Sequence, residues 1–280
     1  MNEDILIELS TKDLNLLADL YEKHESSAPH AYSTIKTSID WREKKPDSNY
    51  VTVFGVEDTW LATGTFIVLM QYSCYDLFVY TLEDDCRTLY KGLKETKKID
   101  WNRRMLWYSV SGRHISTVLD FIKELGADIY VNVVTELYVI NKEEALKFEY
   151  TCPDDVYFAR LKKSHAAQIN EVWPHKSKNS QQYLEILIEM NKSLGLFLKS
   201  DDSLVCWVLG SPMGQMSTLQ TDVNHKRKGY ATLITKAKSK ELAQDGFNPL
   251  GTIVQGNVAS ETMFSKLGFR SIDTCTFVMH

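Results

Sequence analysis

Lys226, Arg227 and Lys228 run directly into Gly229, Tyr230 and Ala231. Those residue types in that order make an anion cradle. Small residues at 229 and 231 let the backbone approach a ligand closely. The first N–H groups of a helix opening there have no internal partner and lie at the positive end of the helix dipole. With three cations alongside, such a turn suits a pyrophosphate. The elements that must position it follow from the flanking text. Residues 216–221 alternate as a strand entering the turn, and residues 230–244 form a helix stopped by Gly246. Residues 253–255 read as a buried strand, and Asn257 starts a second helix over 259–267, capped by Gly268.

This order resembles the acetyltransferase superfamily related to histone acetyltransferase catalytic domains, whose fingerprint is Arg/Gln-x-x-Gly-x-Gly/Ala, a strand, Asn-x-x-small-x-x-x-aromatic, then Leu-Gly-Phe. The matching residues are Lys226, Gly229, Ala231, Asn257, Ser260, Phe264 and Leu267-Gly268-Phe269. Lys stands where Arg or Gln is usual, so the cation survives. Residues 194–221 further resemble the C-terminal half of the glycine N-acyltransferase family, as do Leu161, His165, Ile169, Asn170 and Trp173 upstream. The match is specific over 156–269 and suggestive over 6–140.

The resemblance implies an α/β (α+β) fold of tandem acyltransferase-like domains, each a mixed, mostly antiparallel sheet with flanking helices. Residues 1–145 would be a degenerate copy and residues 146–280 the CoA-binding N-acyltransferase domain. It implies acyl-CoA or acetyl-CoA as co-substrate, no metal, and a small amine such as glycine or another amino acid as acceptor. By motif position Leu219, Gln220 and Thr221 would offer main-chain groups to the thioester and pantetheine. Lys226, Arg227, Lys228 and the N–H groups of Gly229, Tyr230 and Ala231 would hold the pyrophosphate. Asn257 would bond the pantetheine arm beside Ser260, with Phe264 packing alongside.

An attacking amine must be neutral. Its pKa is about 8, and a positioned base contributes roughly 10²–10⁴ in rate. Glycine N-acyltransferases carry a Glu before the cofactor turn; that position here is Gln215. The aromatic position that supplies a tyrosine acid elsewhere in the superfamily is Phe264. Neither side chain moves a proton. His225, Asp222, Glu261 and Tyr230 are the other candidates for a base acting through water. The alternative is an acyl-CoA-binding module of weak or absent catalysis with an interaction or regulatory role.

The rest of the chain sets bounds. A net charge of −5 excludes a general nucleic-acid binder, which needs cations over a whole face. Five scattered cysteines without a CxxC pair exclude a patterned zinc site and favour a reducing compartment. No carboxylate pair has metal-ligand spacing, and no Ser/His/Asp or Cys/His triad is suggested. The acidic N-terminus does not read as a leader, and the most apolar run, 66–70, is too short to span a bilayer, so the expectation is a cytoplasmic protein.

In the first half Thr11 can cap a helix with Leu14, Leu17, Ala18 and Tyr21 on one face. A helix over 31–41, antiparallel strands over 50–56, 61–70 and 77–82, a helix over 86–93 and a strand over 106–110 follow. The clearest amphipathic helix comes next, with Ile115, Val118, Leu119, Ile122 and Leu125 inward, and then strand-like alternation over 128–140. This half lacks a basic glycine turn, so it is expected to carry no CoA and to wall off the acceptor pocket. Ser111, Gly112, Arg113 and His114 read as an exposed helix terminus, and the polar stretch 141–155 as the boundary. Trp173 and Cys206 read as core.

Overall fold

The chain's helices and strands form two units, one built from residues 4–137 with Ile272–His280, the other from Tyr138–Ser271. They come from a computed structural model that describes residues 4–72 and 74–280.

Unit 1 begins with β1 (Leu6–Glu8) and α1 (Thr11–Glu22). Ser10, not Thr11, caps α1, because Ser10 and Asp13 satisfy each other's backbone N–H in a capping box. Leu14, Leu17, Ala18 and Tyr21 are its buried face. Next come α2 (Pro29–Lys44), β2 (Val51–Val56), α3 (Trp60–Thr63), β3 (Phe66–Gln71), β4 (Tyr75–Tyr80), α4 (Arg87–Glu95), β5 (Leu106–Ser111), α5 (Ile115–Glu124) and β6 (Val131–Val139). The strand expected over 61–70 is thus divided: residues 60–63 form a helical turn ended by Gly64 at φ 64°, and only the continuous apolar run Phe66–Gln71 is strand. The sheet runs β1-β2-β3-β4-β5, antiparallel except for the parallel β4–β5 pair.

Unit 2 contains α6 (Lys142–Leu146), β7 (Val156–Arg160), α7 (Ala166–Glu171), α8 (Ser180–Met190), β8 (Leu194–Leu198), β9 (Leu204–Gly210), β10 (Met216–Thr221), α9 (Tyr230–Gln244), β11 (Leu250–Val254) and α10 (Val258–Lys266). The stretch 141–155 is therefore not pure linker, since Ala145 buries α6 in the second core. The final strand, β12 (Arg270–Met279), returns to unit 1 from Ile272 on. It pairs antiparallel with β5, Cys275 opposite Ser111 and Val278 opposite Trp107, and it lies next to β6. The division at 137/138 with a returning C-terminus differs from the expected 145/146 division because strand pairing, invisible in local pattern, assigns the last nine residues.

The unit 2 sheet is antiparallel in the order β10-β9-β8-β7. Cys206 and Val208 of β9 share a core with Tyr230, Ile234 and Ala237 of α9. Alternation turns Trp207 and Leu209 to the other face, where α8 packs. A buried Ile or Val contributes about 1.5–3 kcal/mol, so this two-sided burial fixes α9, and with it the turn that opens α9. Among the described residues no helix is long and apolar enough to cross a membrane.

His114 departs from expectation. Its side chain is fully buried, its Nε2 lies 3.1 Å from the Thr81 carbonyl oxygen, and its ring meets Tyr80 edge-on at 4.5 Å. Burial, aided by the Arg113 charge, pushes its pKa down to about 4. Of the two side chains expected in solvent only Arg113 is there, paired with Asp84 at 3.1 Å.

Candidate functional site

The candidate cradle forms at the end of β10. Asp222 caps a short helical turn by accepting from the Asn224 N–H at 2.9 Å, and Lys226 then leads out in extended conformation. Arg227 and Gly229 both take left-handed backbone, at φ 64° and 81°. No side chain caps α9 at Gly229, and its first internal bond is Leu233 N–H to the Gly229 carbonyl at 3.0 Å. A Cβ on Gly229 would meet nothing within 4 Å, so the backbone at the helix start borders open space. Lys226, Arg227 and Lys228 are exposed, and none forms an ion pair among the described residues. A groove of about 540 Å³ beside this turn is lined by Glu149, Tyr150, Thr151, Gly229, Thr232, Leu233 and Lys236.

β10 is the last strand of its sheet, and β11 lies next to it without ladder hydrogen bonds. The two come closest at Gly251, where a Cβ would stand 3.0 Å from the Met216 carbonyl oxygen; glycine permits that approach. From there both strands become more accessible, from buried Met216 to half-buried Thr221 and from buried Leu250 to exposed Val254. The accessible end of β10 leads directly into the basic turn. Within β10 the register to β9 shifts between Ser217 and Gln220, with Thr218 at φ 50°. A β-branched residue in that region is a strained bulge that re-aims the main-chain groups following it.

The structure brings the main chain of Leu219, Gln220 and Thr221, the basic turn and the start of α10 into one unit. Gln220 Nε2 donates to the Val172 carbonyl at 3.0 Å, and Thr221 Oγ1 lies 3.2 Å from Cys206 Sγ. Asn257 is exposed and accepts from the Ser260 N–H at 3.3 Å, which leaves its amide NH₂ outward. Glu261 accepts from the Gly256 N–H at 3.0 Å.

The side chains of Tyr230, Phe264 and Gln215 are all buried. The Tyr230 ring is buried in the core and its hydroxyl donates to Asp155 at 3.3 Å; burial, then Asp155, push its pKa up, so it stays protonated and only its backbone serves the cradle. Phe264 is core, against Phe269 at 4.8 Å and Tyr138 at 6.1 Å. Gln215 is only 2% exposed, in the turn where the Ser211 N–H donates to its carbonyl at 2.8 Å. His225 is half-buried, with Nδ1 3.4 Å from Lys228 Nζ. Trp173 is half-buried and stacks on Tyr183 at 5.8 Å, and Cys206 is buried, its thiol pushed up to about 11 by desolvation.

Sequence reasoning did not single out the side chains of Ser217 and Trp207 as candidates. Ser217 Oγ and Trp207 Nε1 are buried without a hydrogen-bond partner. Paired residues share a face, so register places Ser217 with Leu209, and Gln220 with Trp207, on the face away from α9. An unpartnered buried donor costs about 1–3 kcal/mol, so these two are places where a polar group could be received. No local sequence signal reveals it, because satisfaction depends on the neighbouring elements.

Residues 193–278 match the family model described as FR47-like protein, and residues 5–121 match a model described as Domain of unknown function (DUF5645). No curated protein matches the chain. A solved Drosophila protein is similar over 99% of this chain and 98% of its own, with 22% identity and a TM-score of 0.89. A tandem GNAT protein from the clavulanic acid biosynthesis pathway gives 12% identity and 0.59 over 99% and 98%. A GCN5-related N-acetyltransferase from Sphaerobacter thermophilus gives 9% and 0.55 over 100% and 96%. The fold is that of the GCN5-related N-acetyltransferase (GNAT) superfamily.

Within this GNAT fold, the strand-to-helix turn after β4 of unit 1 has the opposite character. α4 also opens on left-handed backbone, at Cys86 with φ 52°. Yet Glu83 accepts from the N–H and hydroxyl of Thr88 at 2.9 and 2.7 Å, and Asp85 accepts from the Arg87 N–H at 3.1 Å. Carboxylates of the chain itself fill that helix start.

Proposed function

We propose that unit 2 is an acyl-CoA-dependent N-acyltransferase acting on a small primary amine. The observation that carries the reading is the uncapped α9 start at left-handed Gly229, flanked by three unpaired cations at the end of a bulged, one-sided strand. The CoA pyrophosphate would sit on the N–H groups of Gly229, Tyr230 and Ala231, beside Arg227 and Lys228, with the nucleotide end in the neighbouring groove. The pantetheine arm would run along the main chain of Leu219, Gln220 and Thr221, with the outward amide of Asn257 donating to it. Its thioester would then lie at the Thr218 bulge. The acceptor would enter on the face where Ser217 and Trp207 present their unpartnered donors. An amino acid such as glycine, whose carboxylate accepts from both, fits that pair.

In the reaction the amine nitrogen attacks the thioester carbonyl carbon, the C–S bond breaks, and the sulfur leaves to be protonated as the thiol. Gln215 is a buried amide, Phe264 is core, and Tyr230 is held protonated on Asp155. The amine's proton therefore goes to water or to Asp222, His225 or Glu261, and orientation of the two reactants supplies most of the acceleration. The loss of both customary proton carriers favours a second reading, an acyl-CoA-binding module with little turnover.

Thiol release from a panel of acyl-CoAs, with and without a pool of amino acids and small amines, tests both. Amine-dependent release, with KM for the amine raised in Ser217→Ala and Trp207→Phe, supports the transferase. A CoA-induced rise in Tm without release supports the binding module, because any ligand of the native state must raise Tm. Neither release nor a Tm shift overturns both.

A further inference from the structure

Unit 1 brings together three donors that are far apart in sequence. His30, near the start of α2, is fully buried, and neither of its ring nitrogens has a hydrogen-bond partner. Its ring lies edge-on to Tyr80 at 5.1 Å and to Phe78 at 5.8 Å, so its surroundings fix its direction without satisfying its polarity. Asp273 and Cys275 stand two apart on β12 and share a face of that strand. A carboxylate oxygen of Asp273, the Cys275 sulfur and a ring nitrogen of His30 all lie within 4.8 Å of one another. Among the described residues this is the one group of three metal-ligating side chains that converge so. The strand carrying two of them is braced: Ser111 Oγ donates to Asp273 Oδ2 at 2.6 Å, Cys275 sits opposite Ser111 in the ladder, and Thr135 Oγ1 donates to the Cys275 carbonyl at 2.7 Å.

We propose that His30, Asp273 and Cys275 bind a divalent zinc ion within unit 1. Imidazole, carboxylate and thiolate are the three zinc ligand types, and thiolate with imidazole disfavours calcium and magnesium. A neutral imidazole with two anionic ligands balances the dication, which suits a buried place. With bonds of about 2.0–2.3 Å, tetrahedral ligand atoms stand roughly 3.3–3.8 Å apart, so the cluster closes by at most about 1–1.5 Å around the ion. Cys275 coordinates as thiolate and gives its proton to solvent; the fourth position is left to water. The hydroxyl of Ser111 on the carboxylate is the kind of outer contact that orients a metal ligand. Bound zinc would tie α2 to the returning strand.

The full-length protein is stripped with chelator and titrated with Zn²⁺, and separately with Co²⁺ as a spectroscopic probe. Metal content is read by mass spectrometry of the element. The expected result is one Zn²⁺ per chain, a rise in Tm on zinc addition, and a near-ultraviolet thiolate-to-cobalt band. Cys275→Ser abolishes that band, and Asp273→Asn keeps it but weakens Co²⁺ binding about tenfold or more. Circular dichroism checks that both variants keep the wild-type fold, and His30→Gln offers a third removal of one ligand. Failure of the folded wild-type protein to take up stoichiometric zinc overturns the proposal. So does a cobalt band that persists in Cys275→Ser, since the thiolate would then belong to another cysteine.

Discussion

Two turns of this molecule share one backbone and differ in charge. After β4 and after β10 the chain leaves a strand, takes left-handed backbone at Cys86 or Gly229, and opens a helix. At Cys86 the helix start is filled by Glu83 and Asp85, while at Gly229 it is open and ringed by Lys226, Arg227 and Lys228. The orphan N–H groups of a helix end must find an acceptor. One turn finds it within the chain; at the other no side chain supplies it, and on the function proposed above a ligand would. The helix that follows in each unit repeats the contrast: α5 starts at buried His114, α10 at exposed Asn257.

The largest expected break in this comparison is charge reversal of the open turn. Arg227→Glu with Lys228→Glu should weaken CoA binding about 100-fold or more, as charge-assisted contacts are lost and repulsion replaces them; calorimetric titration reads it. Next comes acid sensitivity of unit 1. His114 has a folded pKa near 4 against 6.5 for an unperturbed histidine, so between those values the unfolded chain binds the extra proton. Its share of stability is lost as pH falls from about 6.5 towards 4, with a slope approaching roughly 1.4 kcal/mol per pH unit. Urea denaturation across that range should show a flatter dependence in His114→Asn.

Smaller effects sharpen the comparison. Gly229→Ala meets no atom but must hold φ 81°, so it should cost about 1–2 kcal/mol of stability and loosen the cradle; Tm and CoA titration together read this. Glu83→Gln removes the charge from the filled turn and should cost about 1 kcal/mol while leaving CoA affinity unchanged. A matching loss of CoA affinity in Glu83→Gln would break the separation of roles.

Most of the element order was legible because each signal is local. Periodicity marked α1 and α5, and Gly246 and Gly268, both at positive φ, end helices where glycine was expected to. Some of the site was legible for the same reason: a basic run, a glycine and a helix start lie within a few residues. Its side chains were less so. Tyr230 and Phe264 sit at motif positions, yet the packing of α9 and α10 turns both rings into the core. His114 looked solvated because its neighbours in sequence are polar, but its neighbours in space are Tyr80 and Thr81.

The sequence by itself determined that a basic run meets a glycine at a helix start and that Gln, not Glu, stands at 215, since both are matters of residue type at short spacing. Only the tertiary structure decided that the last strand returns to unit 1, that Ser217 and Trp207 share a face without partners, and that His30 meets Asp273 and Cys275. Those facts depend on which strands pair across long separations, and hydrogen-bond ladders between distant segments leave no mark in local pattern.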